Sequence, residues 1–128
     1  MALMVAISAG ELIDKITILE IKLENISDPA KLTNIRYEHV RLAATLREAI
    51  PESATLSALT EELKSVNAEL WRIEDNIRDQ ERVKSFGAEF IALARSVYRT
   101  NDRRAALKRK IDTFLQSDIV EEKSYAAY

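Results

Sequence analysis

Apolar residues recur at heptad spacing from Phe90 to Phe114, and the stripe turns polar in its middle. Val97, Arg104 and Ile111 share one phase, while Leu93, Thr100, Leu107 and Phe114 share the other. This spacing requires a helix with one buried face, so Thr100 and Arg104 stand where a core is expected. A guanidinium buried without a partner costs several kcal/mol. A carboxylate, a ligand anion or water must therefore meet Arg104, with Asp14 the first candidate and Glu69 the second. The phase survives across Thr100-Asn101-Asp102, which favours one unbroken helix. The alternative is a loop at these three residues, with Asp102 capping a fifth helix and Arg104 on its exposed first turn.

The rest of the chain reads as helix too. Ser8-Ala-Gly-Glu11 is a capping-box pattern, with Glu11 placed to reach back to the Ser8 amide. Leu12, Ile16, Leu19, Leu23 and Ile26 follow at alternating spacings of four and three, and Ile13, Ile18 and Ile21 widen the apolar surface. Asp28-Pro29 ends this helix and starts the next, whose stripe is Leu32, Ile35, His39, Leu42 and Leu46 until Ile50-Pro51 stops it. A third helix begins near Thr55 or Ser57. Its Leu56, Leu59, Leu63, Val66, Leu70, Ile73 and Ile77 make clean heptads, with the leucine and β-branched mix of three- or four-stranded assemblies. A break follows around Val83–Gly87.

With only two glycines and two prolines, the chain of 128 residues is poorly punctuated for a many-stranded β fold. The fold class is therefore all-α: an antiparallel up-down bundle of four helices forming one domain over 1–128, with an N-terminal arm (1–7) and a tail (117–128). The last two helices reach roughly 40 Å and the first two about 30 Å, so a long hairpin projects beyond a shorter one. The absence of cysteine removes disulfides, thiolate nucleophiles and zinc-finger patterns. No apolar run approaches the roughly 20 residues of a membrane span, and a cytoplasmic location is expected. The net charge of -2 argues against a dedicated nucleic-acid binder.

Antiparallel pairing of the helices brings His39, Asn67, Thr100, Asn101 and Arg104 to one height, with Asp14 and Thr17 close by. This polar layer is read as a hydrogen-bond network or, alternatively, as a ligand pocket to which Lys15 and Arg95 contribute. A lone His on an apolar face is more often a satisfied core residue than a base. With one His and no Cys, and Glu38-His39 adjacent rather than at the Glu-x-x-His spacing of di-iron bundles, neither a di-metal site nor a cofactor is expected.

Glu69–Arg78 is charge-dense. Glu74 with Arg78 and Glu69 with Arg72 are helical pairs worth a few tenths of a kcal/mol. Glu74, Asp75 and Arg78 are read as a solvated face or, functionally, as a charged face opposite the basic last helix near Arg95. Trp71 is expected to pack under a neighbouring element. Arg95, Arg99 and Arg103 line one face of the last helix and could hold phosphates or an acidic partner, unless the third helix neutralises them.

Several blocks resemble an uncharacterised family of bacterial domains. They are Ser8-x-Gly-Glu-Leu-Ile-Asp-Lys-Ile-Thr-Ile-Leu-Glu-Ile-Lys22, Glu69-Leu-Trp71 with Glu74-Asp75 and Ile77-Arg78, Ala94-Arg-Ser-Val-Tyr98 with Asn101-Asp102, and Glu121-Glu-Lys-Ser-Tyr125. The resemblance implies a setting beside sugar-transfer and surface-polysaccharide proteins. It also singles out Glu11, Asp14, Lys15, Arg78, Arg95, Asn101 and Asp102, and implies that the tail docks on the bundle. The helical chorismate mutases are similar in architecture, and Lys15, Arg95 and Arg104 could take the part of their anion-gripping cations. Two functions follow as expectations. One is a non-enzymatic bundle that self-associates or docks on a larger bacterial protein. The other is a small-anion site, enzymatic or not, at the polar layer.

Overall fold

The computed structural model describes all 128 residues and holds four helices: α1 (Ala9–Asn25), α2 (Pro29–Ala49), α3 (Ala54–Arg82) and α4 (Ala88–Phe114). Local chemistry sets their limits. The Ser8 hydroxyl accepts from the Glu11 amide at 3.1 Å, Asp28 caps α2 with Pro29 in its first turn, and Ser53 accepts from the Leu56 amide at 3.1 Å. α3 therefore starts slightly ahead of Thr55. Half of the expected capping box is missing, because Glu11 reaches α4 instead of the Ser8 amide.

α3 and α4 end alike. Lys84 and Gln116 take left-handed backbone, with φ of 57° and 53°. The Ser85 amide then donates to the Gln80 carbonyl and the Ser117 amide to the Asp112 carbonyl, each at 2.9 Å. These are Schellman closures, which satisfy carbonyls that the last turn would leave open. Between them α4 runs unbroken through Thr100-Asn101-Asp102, so the loop and the fifth helix do not form.

α3 and α4 form an antiparallel hairpin, α1 lies on both, and α2 packs on α1 alone. The core is Ile13, Leu56, Leu63, Val66, Leu107 and Ile111, flanked by Leu46, Ile50, Leu59 and Leu115. It sits where the start of α3 meets the end of α4. Two expectations change here. The α2 stripe is only half-buried, and no residue of α2 is fully buried, because α2 has one neighbour rather than two. Phe114 is exposed and Leu115 takes its place on the core, since Leu115 keeps helical backbone and stands four residues on from buried Ile111. Residues 1–7 are non-helical and exposed. No helix is long and apolar enough to cross a membrane.

Candidate functional site

A polar seam joins the start of α1 to the end of α4. Asp14 is 1% exposed and its carboxylate faces Arg104 in a two-point clasp: Nε donates to Oδ1 at 2.9 Å and Nη2 to Oδ2. The Asn67 amide nitrogen from α3 donates to the same Oδ1 at 2.9 Å and to Thr17 Oγ1 at 3.0 Å. Thr17 in turn donates to the Asp14 carbonyl at 2.8 Å. One turn further along α4, the Lys108 ammonium, its side chain 10% exposed, donates to Glu11 at 2.6 Å and to Glu121 of the tail at 2.9 Å. One turn beyond that, buried Asp112 accepts from the Gly10 amide at 2.6 Å.

The three free N–H groups that follow the Ser8 cap at the start of α1 are thereby met, and the first intrahelical bond closes behind them. Ala9 donates to Ser117 Oγ at 3.3 Å, Gly10 to Asp112, Glu11 to the Ser8 hydroxyl and Leu12 to the Ser8 carbonyl at 3.2 Å. A helix start carries partial positive charge, so a carboxylate there is favourable. The close approach also explains the glycine: a Cβ at position 10 would lie 2.5 Å from the Lys108 carbonyl oxygen and 2.8 Å from Asp112 Oδ1.

The charges are tuned to one another. Burial pushes the Asp14 carboxyl up, but hydrogen bonds from Arg104 and Asn67 and the charges of Arg104 and Lys108 outweigh it and hold the group below its ordinary value. The Asp14 carboxylate conversely raises Arg104 against the pull of burial. Burial lowers Lys108, yet hydrogen bonds to Glu11 and Glu121 carry it above the ordinary lysine value. Asp14, Arg104 and Lys108 are thus charged at neutral pH and paired within the seam.

Of the residues singled out from sequence, Asp14, Asn67, Asn101 and Arg104 do meet, and Arg104 Nη1 reaches Asn101 Oδ1 at 3.5 Å. Thr100 is buried beside them but makes none of these bonds. His39 is not in the layer: it lies 3.5 Å from Glu20, because α2 leans only on α1 and never reaches α3. Lys15 is half-exposed and paired with Glu11 at 3.6 Å, and Arg95 is exposed. Glu69 pairs with Arg103 at 2.9 Å across the hairpin rather than with Arg72. Gly10, Asp112 and Glu121 were not singled out as site residues, and Lys108 figures in the sequence only as one of several basic residues. The spacing of Arg104, Lys108 and Asp112 by four, opposite Glu11 and Asp14 spaced by three, is the signal that would have marked the seam.

Beside the seam, Ile18, Leu70 and Trp71 floor a groove of about 510 Å³, rimmed by Asn67, Asn101, Arg104 and the charged set Glu74, Asp75 and Arg78. The two groups of polar residues picked out from sequence therefore share one groove. Glu74 and Arg78 pair at 3.4 Å, and neither Glu74 nor Asp75 pairs with Arg95. The Asn67 side-chain oxygen accepts no bond from the protein, although both of its amide hydrogens are engaged. The tail is ordered against α4: Glu122 accepts from Arg109 at 2.9 Å, and the Tyr128 hydroxyl donates to Asp102.

No curated protein and no solved structure matches the chain. Residues 3–128 match the Family of unknown function (DUF6165), and the chain belongs to that family.

Proposed function

We propose that the protein is a non-enzymatic helical module that works by association, either with itself or by docking on a larger protein. The observation that carries this is its surface. The chain exposes 8897 Å², against about 6,900 Å² for a compact monomer of 14.5 kDa. The excess of about 2,000 Å² exceeds the roughly 800 Å² that each partner contributes to a standard interface. The arm is exposed, and neither α2 nor the far half of the α3–α4 hairpin contains a fully buried residue. The polar seam supports the same reading, since its carboxylates and cations are spent on each other. The resemblance adds a setting beside bacterial sugar-transfer and surface-polysaccharide proteins. A module that completes its core by self-association has a thermal midpoint that climbs with protein concentration. A midpoint independent of concentration, in a chain that stays monomeric, would sink the self-associating form of the proposal.

A second reading rests on the groove. The Asn67 oxygen and the immobilised Arg104 guanidinium offer an acceptor and donors beside an aromatic floor. Asp14 already neutralises Arg104, and Glu74 and Asp75 stand on the rim, so a neutral polar ligand suits the groove better than a small anion. Trp71 is the only tryptophan, and its fluorescence reports directly on occupancy. Titration with sugars, nucleotides, sugar nucleotides and phosphates that leaves this emission unchanged would count against the groove as a site.

A further inference from the structure

The α4 row that faces α1 is Asp112, Lys108 and Arg104. Carried back in steps of about 3.6 residues, the same row continues as Asn101, Val97, Ala94 and Phe90. The polar ties from α1 reach Asn67 on α3 and Arg104 on α4 and go no further. Beyond them the face loses the cover of α1 but remains apolar, and only the tail borders it, beside Val97 and Tyr98. Between Ile73 and Thr100 no residue of the chain is fully buried, although a heptad stripe runs through both helices there.

The uncovered surface is rich in aromatic side chains. Phe86 stacks edge-on against Phe90 with ring centres 5.2 Å apart. Ile91, which is 55% exposed, and Tyr98, which is 44% exposed, lie beside the row. The tail brings Tyr128 onto Tyr98, again edge-on at 5.2 Å, and leaves Tyr125 exposed. Large aromatic side chains are the residues enriched in interface cores. Charges of both signs flank them: Glu69, Glu74, Asp79 and Glu81 have partners within the chain, while Asp75, Arg95 and Arg99 enter no ion pair.

Resting on the association reading above, we propose that this distal face of the hairpin is the contact surface and that its occupant is a second copy of the chain. Two hairpins laid face to face enclose the stripe as four helices, one of the two numbers that the leucine and β-branched mix of α3 favours. A twofold contact is self-complementary, which a patch flanked by unpaired charges of both signs permits. This face is part of the chain's excess exposed surface of about 2,000 Å², against the roughly 800 Å² that each partner gives to a standard interface.

The test is light scattering coupled to size-exclusion chromatography on the full chain, with Ile91→Glu and Ala94→Glu set against Val40→Glu on the outer face of α2. Circular dichroism verifies the fold of each variant. The expected result is a dimeric wild type and Val40→Glu, with the two α4 variants folded and monomeric. Dimers that survive both α4 substitutions would overturn this surface while leaving self-association standing. A monomeric wild type would overturn both, and a larger protein would then be the occupant to seek.

Discussion

The backbone amide of Gly10 and the carboxylate of Asp112, 102 residues apart in sequence, meet at 2.6 Å in the interior. The contact is possible only because residue 10 has no side chain. Gly10→Ala improves intrinsic helix propensity by up to about 1 kcal/mol, yet its methyl would press on the Lys108 carbonyl. The backbone cannot yield there without parting α1 from α4. A net loss of about 1–3 kcal/mol is expected, as for overpacked cores, read from the urea midpoint. A stabilised variant would show that the two helices are free to move apart.

Asp14 and Arg104 form the charged centre of the seam. Removing one partner from a buried ion pair costs about 3–5 kcal/mol. Arg104 keeps 29% of its side chain exposed, so water can recover part of this for Asp14→Asn, leaving a loss of about 2–4 kcal/mol. The double variant Asp14→Leu with Arg104→Leu leaves neither charge unpaired, and it should be more stable than Arg104→Leu alone. Additive losses in the four-member cycle would mean that the two side chains act independently.

Acid should loosen the seam first. Asp14 and Glu121 are held below their ordinary values in the folded chain. Each contributes stability that is complete above about pH 4–4.5 and fades as the pH falls through the lower folded value. Lys108 and Lys64 are raised, so their contribution persists through neutrality and is lost only at strongly alkaline pH. Urea midpoints should therefore drop steeply below about pH 4, and less steeply in Asp14→Asn. Equal acid slopes in the two proteins would remove Asp14 from the explanation.

The tail belongs to the same network. Truncation after Ser117 keeps the Ala9 contact but removes the Glu121–Lys108, Glu122–Arg109 and Tyr128–Asp102 bonds. Lys108 would retain only Glu11 as partner. The expected loss is about 1–2 kcal/mol, carried mainly by the bond to the nearly buried lysine rather than by the exposed Arg109 pair. Glu121→Gln alone should reproduce most of it, and amide exchange in the last turns of α4 should quicken. A truncated chain as stable as the parent would mean that the tail only rests on the surface.

What the sequence revealed, and what it hid, follows from the range of the forces involved. Ser8, Asp28-Pro29 and Ile50-Pro51 act within a few residues, and the helix ends fall where their chemistry directs. The Asp14–Arg104 clasp was also legible, because heptad phase put a guanidinium in a core and Asp14, the first of two candidate carboxylates, stood close to its height. His39 was misplaced because the pairing assumed a closed bundle, whereas α2 touches α1 alone. Glu69 chose Arg103 over Arg72 because the hairpin offered a partner across helices that no local rule ranks. Asp112 and Gly10 lie at opposite ends of the chain, and their bond depends on a close crossing of two helices that periodicity alone does not encode.

The central claim, that the unburied helical surface is made for association, is tested most directly by sedimentation velocity of the intact chain across the micromolar range. A species of twice the chain mass that dissociates on dilution is the predicted result. A single monomeric boundary at every concentration, with a frictional ratio that does not change, would contradict it.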